Sequence, residues 1–329
     1  MQEEDIRPQR LFDRYLELCR EDAEVCFAGV PRRDVPCVAC GGTDTEPAFD
    51  KWGFAYRRCR DCGSLYVSPR PDPEAFQAFY VSSRSSDYWV KEFFPAVMEA
   101  RREKLFRDKA GRLLDLCRQR GLSTGVIAEV GAGFGMLLEE IRAISPDSRL
   151  IAVEPNPDMA ALCAAKGLCA VQAFGESLSG LADAGKVDLA VTLEVLEHVH
   201  EPQRFCSSVA GLLRPGGTAV FTTLCCSGFD IQVLWERSKS VSPPHHLNLM
   251  SLEGLGALMR RSGFATVECF TPGRLDVDIV RKFWTPEAGR GPDRFLSGLL
   301  AADEPTREAF QNFLAGNRLS SHCWVLATR

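Results

Sequence analysis

From Val126 onward, short apolar runs alternate with stretches whose apolar positions recur every three to four residues. Ile127–Val130, Leu150–Glu154, Val187–Leu193 and Thr218–Thr223 read as buried strands. Met136–Ala143, Met159–Lys166 and Pro202–Leu213 carry helical periodicity between them. Buried strands alternating with helices predict an α/β fold with a parallel sheet covered on both faces. Ser251–Arg261 reads as another helix, stopped at Gly263, and Ala265–Phe270 as another strand. The chain closes on His322-Cys323-Trp324-Val325-Leu326-Ala327, a last strand, after a less regular stretch from Thr271 to Leu319. Upstream, Leu11, Tyr15, Leu18 and Cys19 keep helical spacing within Asp5–Ala28, and Tyr88–Arg120 predicts one or two amphipathic helices. Val35–Pro73 breaks the pattern: it is rich in Gly, Pro, Arg and Cys and has almost no periodic run.

These shifts divide the chain into an N-terminal helix (1–34), a four-cysteine module (35–73), a helical lead-in (74–120), an α/β core (121–270), a lid or association insertion (271–320) and the last core strand (321–329). The insertion is partly basic, through Arg274, Arg281, Lys282, Arg290 and Arg294, and suits a lid or a homodimer contact. The 329 residues, 45% hydrophobic and 25% charged, describe an ordinary globular protein of one large or two modest domains. No run approaches the ~18–20 apolar residues of a membrane span, so no membrane partner is expected. A net charge of −5 argues against a nucleic-acid partner. The start Met-Gln-Glu-Glu-Asp lacks the basic and apolar regions of a secretory signal, so a reducing cytoplasm is the expected compartment for the fourteen cysteines.

Four of those cysteines cluster. Cys37-x-x-Cys40 and Cys59-x-x-Cys62 are separated by 18 residues, and Gly41 and Gly63 follow the second cysteine of each pair. Two such knuckles let four thiolates converge on a tetrahedral zinc ion. Four thiolates close its coordination shell, so the expected role is structural. Arg57, Arg58, Arg60 and Arg70 nearby form either a solvated face or a hold for an anionic group.

Glu129-Val130-Gly131-Ala132-Gly133-Phe134-Gly135 follows a buried strand and opens a helix. Its glycines allow close backbone approach to a ligand, and the helix start offers free N–H groups. Glu154 ends the next strand, 23 residues after Gly131, where a carboxylate can accept from both hydroxyls of an adenosine ribose. The Gly-x-Gly-x-Gly spacing departs from the Gly-x-Gly-x-x-Gly preferred for pyrophosphate.

With these residues the sequence resembles the class I S-adenosylmethionine-dependent methyltransferases. The resemblance rests on five segments in order: Ala128–Gly135, Ala152–Pro155, Val187–Val199, Leu213–Gly217 and the terminal strand. Cys37–Gly41, Arg58–Gly63 and Ser68–Pro71 look like the zinc-ribbon leader of a subgroup acting on sugars and natural products. The resemblance implies a Rossmann-like seven-stranded sheet, mostly parallel with an antiparallel last strand, and a small N-terminal zinc ribbon. It implies S-adenosyl-L-methionine as cofactor, with Glu129 toward the methionine amino group, Gly131, Ala132, Gly133 and Gly135 lining the ligand, and Glu154 with Pro155 at the ribose. Phe174, in Ala173-Phe174-Gly175-Glu176, stands where the family reads adenine, and Glu194 lies near the methionine portion.

Methyl transfer needs an acceptor held in line and, for an O–H or N–H, a base. His198 ends the strand Val187–Leu193 region, and Glu194, Glu197 and His198 together suggest a divalent-ion site by the same resemblance. His245 and His246 occupy the loop Ser242–Leu249, which crosses the substrate cleft in the family. Related sugar C-methyltransferases place a base at the position of His246, after Tyr and Glu, where this chain has Pro244-His245. His246, His245 and His198 are therefore the candidate bases, and Cys37, Cys40, Cys59 and Cys62 the metal ligands. The expected function is methylation of a small-molecule acceptor, a sugar or natural-product intermediate, at oxygen or nitrogen rather than carbon. An RNA methyltransferase and a non-catalytic scaffold are the alternatives, with a dehydrogenase behind them.

Overall fold

The computed structural model describes residues 3–285 and 294–329. Its central sheet contains β6 (Val126–Val130), β7 (Arg149–Val153), β8 (Cys169–Val171), β9 (Val187–Leu193), β10 (Leu213–Leu224), β12 (Thr266–Phe270) and β13 (His322–Thr328). The spatial order is β12-β13-β10-β9-β6-β7-β8. β6 through β10 run parallel, and β13 inserts antiparallel between β10 and β12. This is the expected seven-stranded arrangement with a reversed last strand.

The inner strands are mostly apolar because both faces are covered. Ile127, Leu189, Val191 and Val220 face one way, against Leu113 and Leu114 of helix Arg107–Arg120 and Leu137 and Ile141 of helix Met136–Ile144. Ala128, Ala190 and Phe221 face the other way, against Phe205 and Val209 of helix Pro202–Leu212 and Leu255 and Leu258 of helix Leu252–Arg261. β8 carries no readable period, because three residues at a sheet edge are too few to show one.

The stretch read as irregular, Thr271–Leu319, is helical. Asp276–Phe283, Arg294–Ala301 and Glu304–Gly316 pack with helix Phe229–Leu234 through Leu234, Val277, Val280, Leu296, Leu300 and Leu314. Dividing one apolar cluster among short helices hides its period. Arg274 pairs with Asp108 at 3.3 Å and Lys282 with Glu4 at 2.9 Å, while Arg290 lies outside the described residues. No described helix is long and apolar enough to cross a membrane.

The cysteine-rich segment builds a second sheet from β2 (Thr45–Lys51), β3 (Phe54–Cys59) and β4 (Leu65–Val67). Its fourth strand is β11 (Asn248–Leu249), which comes from the loop after β10 and pairs antiparallel with β4. Two-residue strands β1 (Arg32–Arg33) and β5 (Arg70–Pro71) close the module's other end. Arg70, only 2% exposed, locks this junction. It donates to Val67 O (3.2 Å), His200 O (2.6 Å) and Asn248 Oδ1 (2.9 Å), and burial pushes its guanidinium down to about 10. The Asn248 amide then donates to Leu196 O and Val199 O at 3.1 and 2.7 Å. Arg70 is thus a structural cation, whereas Arg58 and Arg60 stand outside and pair with Glu46 and Asp44.

Arg70→Met takes the guanidinium donors from two buried acceptors and one part-buried one. It should lower the unfolding free energy by about 2–4 kcal/mol, read as a shifted urea midpoint with an unchanged slope.

Candidate functional site

Two walls meet at the C-terminal edge of the central sheet, where open α/β sheets bind ligands. The first is the glycine loop. Gly131, Gly133 and Gly135 have φ of 81°, 53° and 70°, a region that disfavours side chains. A Cβ on Gly131 would stand 2.6 Å from Val195 Cγ2, and one on Gly135 2.8 Å from Leu168 Cδ1. At Gly133 nothing lies within 4 Å, so the loop opens there. Two glycines therefore serve packing and one borders free space.

Glu154 is 7% exposed and stands across the opening. One of its oxygens accepts from Gly133 N–H at 2.8 Å and the other from Asn156 N–H at 3.0 Å. Each oxygen keeps a lone pair for a ligand hydroxyl. Glu129, at the end of β6, is 2% exposed, and its Oε2 is buried with no partner among the described residues. Burial, then the charge of Glu154, pushes the Glu129 carboxyl well above its usual range. A buried acid lacking a donor, beside a left-handed glycine loop and a second acid, fits a ligand with a cationic amine and a diol. Ala132 is buried in the loop, Pro155 follows Glu154, and Phe174 stands 48% exposed beyond β8.

The second wall is polar. Glu194, just past β9, holds a left-handed φ of 53° despite its side chain. Its Oε1 accepts from Thr222 Oγ1 (2.6 Å) and pairs with Lys109 Nζ (3.1 Å), with His322 Nδ1 at 3.4 Å. Burial opposes its charge, but Lys109 and His322 prevail and hold the carboxyl well below its usual range. Glu197 is 1% exposed and accepts from Thr223 Oγ1 at 2.8 Å. Burial and Glu194 raise its carboxyl.

His198 Nδ1 lies 2.9 Å from His245 O, and His246 Nδ1 lies 2.6 Å from Ser240 O. A carbonyl only accepts, so in each ring Nδ1 carries the hydrogen and Nε2 keeps its lone pair. The rings are 4.7 Å apart, centre to centre. Burial pushes His198 down to about 4 and His246, with His198 beside it, to about 3. His245 differs. It is 5% exposed, its Nε2 bonds Ser85 Oγ at 2.8 Å, and it packs against Tyr15 and Phe79. Glu197, His198 and His246 each bring one ligand atom within 4.8 Å of the others. The suggested triad of Glu194, Glu197 and His198 is thus replaced, because Lys109 draws Glu194 away and the loop delivers His246.

In the cysteine module the four thiols of Cys37, Cys40, Cys59 and Cys62 converge within 4.8 Å. Cys37–Cys62 and Cys40–Cys59 sulfurs are 3.6 Å apart. The edge of a tetrahedron with ~2.3 Å metal–sulfur bonds is about 3.8 Å, so the donor set fits one ion. The knuckle turns close through Gly41 N–H to Cys37 O (2.8 Å) and Gly63 N–H to Cys59 O (2.9 Å). Cys225 and Cys226, by contrast, are buried thiols behind the module.

A methyltransferase-domain model matches residues 98–269, just over half of the chain. The chain belongs to the methyltransferase-domain family. A ubiquinone biosynthesis O-methyltransferase of Pectobacterium atrosepticum is 32% identical over 110 residues, 32% of this chain and 46% of that protein. The chain thus spans about half the length of such relatives. Another so named, from Ruegeria pomeroyi, is 24% identical over 58% of this chain and 85% of its own. The solved plantazolicin methyltransferase BamL, in complex with a triazolic desmethylPZN analogue and SAH, superposes with a TM-score of 0.50 at 9% identity. It covers 77% of this chain and 94% of its own and shares the fold. In this family member the matched segment includes the glycine loop and Glu194–His198 and excludes the cysteine module.

Several cleft residues carry no sequence signal. Thr222 reaches Glu194 because β10 pairs in register with the end of β9. Lys109 lies in a charged helix where any of several lysines and arginines fits equally well. Tyr56 lies in the module, yet its hydroxyl donates to His246 O at 2.5 Å.

Proposed function

We propose that this chain is an S-adenosylmethionine-dependent methyltransferase acting on a small-molecule acceptor, a sugar or natural-product intermediate, through an O–H or N–H. The observation that carries the reading is the orphaned buried oxygen of Glu129 beneath a loop opened at Gly133 and faced by Glu154. Bound S-adenosylmethionine supplies a sulfonium-activated methyl group. Glu129 takes its amine, Glu154 its ribose hydroxyls, and Gly131, Ala132, Gly133, Gly135 and Pro155 shape the cradle, with Phe174 offering an open face at its rim. Relatives named O-methyltransferases support an oxygen acceptor. The pairing of Arg58 and Arg60 with module carboxylates supports a small acceptor over RNA.

His246 is the general base in this reading. Its Nε2 takes the acceptor proton while Nδ1–H stays on Ser240 O, which stabilises the imidazolium as it forms. His198 is second to it, with the same free Nε2, and His245 instead ties the acceptor loop to Ser85. The four cysteines hold a structural zinc ion, which keeps β3 and β4 in place under β11 and so positions His246 through Tyr56.

Calorimetry with S-adenosylhomocysteine should show one site per chain, and Glu154→Ala should weaken it by about 1–3 kcal/mol. No heat of binding to the unaltered protein overturns the reading. His246→Ala should lower turnover about 10²–10⁴-fold. The base must be neutral to act, and a depressed pKa keeps it neutral as pH falls. The rate at about pH 5.5 should therefore stay within about twofold of that at pH 7.5, where an ordinary histidine base would retain about a tenth. Elemental analysis should find about one zinc per chain, and Cys37→Ser should lose it together with several degrees of melting temperature.

A further inference from the structure

Two guanidiniums border the cleft without an anionic partner among the described residues. Arg101 ends helix Phe94–Arg101, with its guanidinium carbon 5.5 Å from the Phe94 ring centre and 5.8 Å from that of Trp89. Phe94 stacks on Phe134 of the glycine loop at 4.4 Å, and Trp89 packs on Tyr15 at 5.0 Å, which in turn packs on His245. Arg101 therefore stands between the cofactor cradle and the histidine loop. Arg7 precedes helix Gln9–Cys26 and lies 5.1 Å over Phe12. Phe12 stacks on Tyr15 at 5.9 Å, so Arg7 sits on the same aromatic cluster that carries Arg101 and meets His245.

Both side chains are half-buried, and the Nε of each is buried with no hydrogen-bond partner among the described residues. Among the described residues Arg101 donates a single long bond, from Nη1 to Ile6 O at 3.4 Å. The carboxylates nearby are already committed. Glu3, which faces Arg7, lies 3.7 Å from Lys282, and Glu194, which faces Arg101, is held by Lys109. Two like charges left unpaired in a partly desolvated cleft are costly. A guanidinium also presents a planar fork of donors that matches the oxygens of a carboxylate or phosphate.

We propose that the methyl acceptor carries an oxyanion, a carboxylate or a phosphate, which Arg7 and Arg101 bind jointly while its nucleophilic atom faces Nε2 of His246. The proposal rests on the methyltransferase reading and names the acceptor's chemical class. The carboxylate of the cofactor's methionine is the competing occupant of Arg101.

The test uses the full chain saturated with S-adenosylhomocysteine, and calorimetry with benzoate against benzamide and phenyl phosphate against phenol. At least one acid should bind about tenfold tighter than its neutral twin, and the better acid tells carboxylate from phosphate. Arg7→Met and Arg101→Met, which keep the apolar stem, should each erase that preference and leave S-adenosylhomocysteine affinity unchanged. On the unaltered protein, the preferred acid should slow phenylglyoxal modification of Arg7 and Arg101 but not of exposed Arg10. Equal binding of acid and twin, no measurable binding of either acid, or no protection overturns the proposal. So does an Arg101→Met variant that loses S-adenosylhomocysteine, which would give that guanidinium to the cofactor. Failure of the unaltered protein to bind S-adenosylhomocysteine, seen before any acid is added, would instead sink the methyltransferase reading.

Discussion

The shared strand pair β4–β11 is the constraint on which the cleft depends. Without it the module and the core would be neighbours; with it they form one hydrogen-bonded body, locked by buried Arg70 and Asn248. The loop carrying His245 and His246 ends in β11, so its path is set from outside the core. Leu247 and Asn248 N–H both donate to Glu197 O, Ser242 O accepts from His246 N–H, and Tyr56 holds His246 O. Backbone groups of a two-proline loop, otherwise free to wander, are satisfied one by one. A metal in the cysteine cluster would thus act on the chemistry at a distance, by holding β3 and β4 in the register that β11 needs.

The electrostatics of the cleft follow from depth. Burial is the largest influence on His198, His246, Glu129 and Glu197, and in each case it favours the neutral form. Burial is the largest single influence on Glu194 too, but Lys109, His322 and Thr222 together outweigh it and keep the carboxylate charged. The cleft therefore holds neutral imidazoles beside one fixed carboxylate. That division suits a base that must be free at the outset and must gain a charge only during the reaction. The carbonyls of His245 and Ser240 are already placed to accept from the ring that gains it.

Local pattern carried much of this into view. The glycine loop with Glu154 was legible because strand, turn and helix are contiguous, and the four cysteines because their spacing is itself the geometry of the site. The seven-stranded sheet with its antiparallel last strand followed from family resemblance, its strand order came only with the structure, and β8 was too short to read. What stayed hidden depends on contacts across the chain. Which of His245 and His246 keeps a free Nε2 is decided by Ser85, 160 residues away. Whether Glu194 joins Glu197 and His198 is decided by Lys109, 85 residues upstream. The helices in Thr271–Leu319 were obscured because each contributes only one or two buried residues to a common apolar cluster.

The two walls of the cleft differ in how they are built, and this bears on what each can recognise. The cradle wall is made by consecutive core elements, with backbone amides and acids fixed by strands β6 and β7. The opposite wall sets the core residues Glu194, Glu197 and His198 against the N-terminal helices, the cysteine module and the histidine loop, joined by side chains such as Tyr15, Trp89, Arg101 and Tyr56. Stacked Phe94 and Phe134 join the lead-in helices to the glycine loop. Side chains on the second wall can change without disturbing the backbone of the first. In the methyltransferase reading, cofactor binding is therefore a property of the core, whereas the acceptor's shape and charge are set where the core meets the N-terminal helices and the cysteine module. An oxyanion-binding pair contributed by residues 7 and 101 bridges that junction: Arg7 lies before the matched segment, and Arg101, the last residue of helix Phe94–Arg101, lies just inside it.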